Sequence, residues 1–252
     1  MLSSGFESDY IEDFITQFKR QCPWFAENVP LKELRKESSK RLYEQYFGAR
    51  TDYQEDNSNP RVALDSFNRG LAYAKKGDRV NALKEYDNAI KDDPYYISAY
   101  FGRGSLYLER GDFEKASADF NKIIEIDKSN YTAYSYLGLV EYQRKNYSKA
   151  IEHYNKSIEL FPTNVDAFFW RGLSHYCLRN FTQAINDLTK AIELQPKFPL
   201  AYFNRATAYY EIHEYDKAWH DVNEVKKVGG LPDQFNEGFK QFIEALERVS
   251  HK

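Results

Sequence analysis

Five histidines, two cysteines and one short glycine pair are the residues of this 252-residue chain with the types to do chemistry, and each set fails on spacing. His153, His175, His213, His220 and His251 share no interval, so a common metal would require separate segments to converge by coincidence. Cys22 and Cys177 make no disulfide framework and have no metal-ligand spacing, which fits a reducing, cytoplasmic setting. Gly102-Arg103-Gly104 starts like a dinucleotide fingerprint, but Tyr107 stands where its third glycine is required. The phosphate-cradling G-x-x-x-x-G-K-[ST], the G-x-S-x-G elbow and the zinc helix H-E-x-x-H do not occur. Asn146-Tyr147-Ser148 is a glycan acceptor only in a secreted chain. An enzyme is not expected, and neither a metal nor a cofactor is implied.

Charge points away from polyanions as well. The chain carries 35 Lys plus Arg against 38 Asp plus Glu, a net of -3, which gives no field to hold nucleic acid or an acidic membrane. A basic stretch (Lys32, Arg35, Lys36, Lys40, Arg41) is diluted by Glu33, Glu37 and Glu44, and residues 1–62 sum to nine basic and eleven acidic groups. That segment reads as a solvated helix face. Apolar runs are as short as Ala167-Phe168-Phe169-Trp170, so no membrane insertion is expected. The first twenty residues contain Glu7, Asp9, Glu12 and Asp13 and read as neither a secretory signal nor a transit peptide, leaving cytoplasmic localisation as the expectation.

What the chain does have is a period. In blocks of 34 counted from Ala63, the eighth place holds Gly70, Gly104, Gly138, Gly172 and Ala206, and the twentieth holds Ala82, Ala116, Ala150, Ala184 and Ala218. The thirty-second place holds Pro94, Lys128, Pro162, Pro196 and Gly230, so five blocks run from 63 to 232 without insertion or deletion. Each block reads as two amphipathic helices: Ala99, Gly102, Leu106 and Tyr107, a turn at Arg110-Gly111-Asp112, then Ala116, Phe120, Ile123 and Ile124. Small residues recur where two helices cross closely, because a larger side chain would hold the backbones apart. Aromatics flank them, with Tyr100, Tyr134, Phe168 and Tyr202 at the fourth place and Tyr86, Phe120 and Tyr154 at the twenty-fourth.

On these residues the array resembles the tetratricopeptide repeat (TPR) family over 170 of 252 residues. It departs at Ser66, Glu141, His175, Lys128 and Gly230, none of which threatens the fold. The resemblance implies an all-α protein, a right-handed α-solenoid of helical hairpins with repeats at 63–96, 97–130, 131–164, 165–198 and 199–232. Arg69, Arg103, Arg171 and Arg205, at a seventh place often Leu in the family, predict a solvated or ion-paired head above a buried stem. Phe235, Phe239, Phe242, Ile243 and Leu246 form one stripe of a C-terminal capping helix over 233–252. Residues 1–47 read as an N-terminal helical extension of two helices, and 48–62 as a polar linker.

A solenoid presents the first helix of every hairpin on a concave inner face. Places five and six there give a candidate peptide-binding groove of Phe67, Asn68, Phe101, Tyr136, Phe169, Trp170, Phe203 and Asn204, aromatic and nearly uncharged. Its natural guest is an extended peptide or amphipathic helix of a protein partner. Family members that hold acidic chaperone tails use a carboxylate clamp of Lys, Asn and Arg. The corresponding places here hold Phe101, Ser105, Tyr136, Asp166 and Trp170 in the central frame, so that clamp is not expected. The expected function is a non-enzymatic interaction scaffold or adaptor. The alternative is a structural subunit or co-chaperone of an assembly, forming a homo-oligomer through the N-terminal helices or convex face, with those helices able to occlude the groove.

Overall fold

The computed structural model describes residues 59–231 and 233–250. The expected N-terminal helices at 1–47 and the linker as far as residue 58 lie outside the described residues. The described chain is an all-α solenoid. In order it contains α1 (Pro60–Lys75), α2 (Arg79–Asp92), α3 (Ile97–Arg110), α4 (Phe113–Ile126), α5 (Tyr131–Gln143), α6 (Tyr147–Leu160), α7 (Val165–Cys177), α8 (Phe181–Leu194), α9 (Pro199–Glu211), α10 (Tyr215–Lys227) and α11 (Asp233–Ser250). Helix α1 starts three residues before the first counted place, because Asn59 accepts a hydrogen bond from the Val62 amide at 3.3 Å and Pro60 needs no donor there.

Each hairpin turns at its fifteenth place, which takes the left-handed conformation in all five repeats: Gly77, Gly111, Lys145, Arg179 and His213, with φ between 60° and 77°. Within the hairpin, side-chain volume is traded across the helix crossing. A Cβ on Gly70 would lie 2.6 Å from Tyr86 Cε1, and one on Gly138 would lie 2.6 Å from Tyr154 Cε1. At Gly172 the nearest atom is Leu188 Cγ at 3.0 Å, and in the fifth repeat Ala206 faces the still smaller Val222. Glycine stands at place eight wherever place twenty-four holds Tyr, Phe or Leu, and alanine stands there only where it holds Val.

Arginines at the seventh place clip neighbouring hairpins. Arg103 donates to Asp119 (2.9 and 2.6 Å) in its own hairpin and to Asp87 (2.6 Å) in the preceding one. Arg171 does the same with Asp187 and Asn155, and Arg205 with Asp221 and Thr189. Arg69 donates to Glu85 and Ser66. Their heads are therefore ion-paired, and three of them also stack on the fourth-place aromatics Tyr100, Phe168 and Tyr202 at 5.3 to 5.6 Å. Desolvation opposes charge on the Arg205 guanidinium, but its hydrogen bonds to Asp221 outweigh that and hold it charged. The third repeat has Leu137 and His153 at the two clip places instead.

Successive first helices touch one another (α1 with α3, α5 with α7, α7 with α9), while successive second helices have no comparable contact. The array therefore curves with the first helices inside. Helix α11 closes its end: Leu246 is buried with Ala206, Ala218 and Val222, and Phe239, Phe242, Ile243 and Val249 pack around them.

Candidate functional site

The groove residues expected from the sequence separate into two sets. Phe67 and Phe169 are buried, each 6% exposed, and belong to the cores between hairpins. They stiffen the inner wall from behind, because the fifth place faces the next hairpin as well as the groove. Asn68, Phe101, Tyr136, Trp170, Phe203 and Asn204 are partly exposed on the inner helices. Asn204 folds its amide back onto the Leu200 carbonyl at 2.7 Å. Phe203 meets Phe239 and Phe242 of α11 at 5.4 and 5.7 Å, so the capping helix covers part of the C-terminal end of this row.

In the middle of the array the aromatics form continuous walls. Tyr136 on α5 lies 5.7 Å from Phe101 on α3 and 5.0 Å from Phe120 on α4. Trp170 on α7 lies 5.2 Å from Tyr142 on α5, edge to face, and 5.5 Å from Phe169. Such pairs hold rings in place and reduce the entropy lost when a guest binds. The hydroxyl of Tyr142 sits 3.9 Å from Cys177 Sγ, and burial pushes that phenol well above the usual tyrosine range.

Between these walls the aromatic row is interrupted. The fifth place of the third repeat is Ser135, whose hydroxyl lies 2.8 Å from that of Ser157; buried Asn164 donates to both, and Ser157 donates to the Tyr131 carbonyl. Asn164 also caps α7 by accepting from the Ala167 amide. One asparagine thus fixes the start of α7, and with it the placement of Asp166 one turn before Trp170. Nothing periodic marks this network in the sequence, since no other repeat has Ser at the places of Ser135 and Ser157.

Asp166 forms no hydrogen bond or ion pair among the described residues. It remains open to solvent, yet burial pushes its carboxyl above the ordinary aspartate range, with no cation to offset the shift.

Among the described residues no group of three or more His, Cys, Asp or Glu side chains is arranged to hold a metal ion, and no helix is long and apolar enough to cross a membrane.

Family profiles described as TPR repeat match residues 138–178 and 180–212, and one described as tetratricopeptide repeat matches residues 97–130. No curated protein matches the sequence significantly. Among solved structures, the chain is similar to MamA at 24% identity and a TM-score of 0.58, over 63% of this chain and 93% of that one. It is similar to YrrB, a TPR protein with an unusual peptide-binding site, at 20% identity and a TM-score of 0.54, over 77% and 93% of the two chains. The similarity to PilF of Pseudomonas aeruginosa is 18% identity with a TM-score of 0.63, over 76% and 88%. These likenesses establish the solenoid. Residues 97–130, 138–178 and 180–212 are thus matched as tetratricopeptide repeats.

Proposed function

We propose that the chain is a non-enzymatic, protein-binding scaffold that holds a peptide or helix of a partner against the inner aromatic face of its middle repeats. The observation that carries this reading is the pair of partly exposed rings Tyr136 and Trp170, each braced by a second ring from another helix. A braced ring offers a large contact area with little freedom left to lose. The carboxylate-clamp places hold Phe101, Ser105, Tyr136, Asp166 and Trp170, so an acidic chaperone tail would be desolvated against rings and a carboxylate. Acidic tails are not the guest.

The test uses partners captured from native extract with the full chain as bait. Tyr136→Ala with Trp170→Ala removes capture while circular dichroism and melting stay close to wild type; Val80→Ser, on an exposed second-helix position, leaves capture intact. Equal capture by both baits would overturn the groove reading.

A further inference from the structure

Among the described residues the carboxylate of Asp166 takes part in no hydrogen bond or ion pair. Three buried aspartates of the array are engaged: Asp119, Asp187 and Asp221 each receive two hydrogen bonds from an arginine of the same hairpin. Asp166 instead sits on the inner helix α7, four residues before Trp170 and therefore on the same face. Trp170, Tyr142 and Tyr154 pack in one cluster, and Asp166 is close enough to Tyr154 to act electrostatically on its phenol. The Tyr154 hydroxyl is itself buried without a hydrogen-bond partner. An anion and several aromatic rings thus lie near one another, and among the described residues no cation is paired with that anion.

This combination has a chemical complement. A carboxylate recruits a cation by a charge-assisted hydrogen bond, and the faces of Trp and Tyr attract the same cation through their quadrupoles. A lysine or arginine side chain satisfies both, because its methylene stem covers apolar ring surface while its head reaches the carboxylate. Within the TPR frame, the place held by Asp166 is one at which the chaperone-tail clamp carries lysine, so the polarity of that place is inverted in this chain.

We propose that the guest is a peptide segment presenting a lysine or arginine, with its cation paired to Asp166 and its stem laid against Trp170 and Tyr142. This rests on the groove reading above and specifies the chemistry of its occupant. The alternative employment for Asp166 is purely local: a negative charge in the first turn of α7, favourable to the helix dipole. The two differ in sign for stability. A dipole role makes Asp166→Asn destabilising, whereas a carboxylate kept desolvated for a guest makes the same change neutral or stabilising in the free protein.

The experiment selects random dodecapeptides displayed on phage against the full chain, with Asp166→Asn, Asp166→Lys and Trp170→Ala selected in parallel, and follows the melting temperature of each. The wild-type pool is enriched in a Lys or Arg flanked by apolar residues. Synthetic peptides from that pool bind Asp166→Asn about tenfold to a hundredfold more weakly, the range expected for losing a hydrogen bond to a charged group. Asp166→Lys selects Asp or Glu in place of the basic residue, and Asp166→Asn melts no lower than wild type. A wild-type pool without basic enrichment, enrichment that persists in Asp166→Asn, or a lower melting temperature for Asp166→Asn overturns the assignment. If selected peptides need Trp170 but ignore the charge at 166, this inference alone fails. If they bind Trp170→Ala as well as wild type, or none is enriched, the groove reading fails with it.

Discussion

Replacing Gly138 by alanine tests whether repeat geometry is set by volume traded across each hairpin. The new Cβ would lie 2.6, 2.7 and 2.8 Å from three ring atoms of Tyr154, a residue with no exposed surface and therefore no room to swing away. Overpacking of this kind costs about 1 to 3 kcal/mol, and the close approach to a fixed ring places this site toward the upper end. Alanine's better helix propensity returns about 1 kcal/mol. The net loss is about 2 kcal/mol. Tyr154→Val alone removes most of a buried ring and costs about 3 kcal/mol or more. The fifth repeat shows how the two changes fit together, since it pairs Ala206 with Val222 and buries both completely. Gly138→Ala with Tyr154→Val should therefore lose less than the sum of the single variants by about 1 to 2 kcal/mol, a coupling typical of residues in direct contact. Solenoids open locally, so the appropriate assay is native-state amide exchange at α5 and α6 beside urea unfolding followed by circular dichroism. Gly238→Ala is the matched control: nothing lies within 4 Å of its added Cβ, and it should stabilise α11 by about 0.5 to 1 kcal/mol. Strict additivity in the cycle, or a neutral Gly138→Ala, would refute the volume argument.

Arg205→Ala strands Asp221, whose side chain is 1% exposed, and should cost about 3 kcal/mol or more in urea unfolding; Arg205→Leu with Asp221→His, the pair that the third repeat uses, should recover much of that. Arg179→Gly should raise stability by up to about 1 kcal/mol, because φ of 60° strains a side-chain-bearing residue and suits glycine, and thermal melting reads the gain. Burial holds the imidazoles of His153 and His175 below their usual range, so near pH 6 the unfolded chain binds more protons than the folded one. Stability is then full above about pH 6.5 and falls as pH drops through that value, and replacing both by glutamine should flatten urea midpoints measured between about pH 7.5 and 5.5.

The parts of this structure visible in the sequence are those where one physical demand recurs at one interval. Close helix crossings demand Gly or Ala at places eight and twenty, and the period and the hairpins follow from them, while α11 shows its own apolar stripe. The left-handed turn at place fifteen is plain at Gly77 and Gly111, yet hidden at Lys145, Arg179 and His213, whose residue types do not announce a positive φ. Arginine at the seventh place signalled a buried stem, but its partners lie sixteen residues away in both directions, and only the fold shows that they clip adjacent hairpins. Within the groove, place numbers located the inner helices and could not separate Phe101, partly exposed, from Phe67 and Phe169, which the neighbouring hairpins bury. Asp166 stood out in sequence only as the wrong charge for a carboxylate clamp. That it has no ion pair among the described residues is a three-dimensional fact.

The most direct test of the account is chemical-shift mapping of a display-selected peptide on the isotopically labelled full chain. Shifts concentrated on Phe101, Tyr136, Asp166 and Trp170 of α3, α5 and α7 are the predicted result. Shifts confined to second-helix residues such as Lys122, Lys156 and Lys190 of α4, α6 and α8 would contradict it.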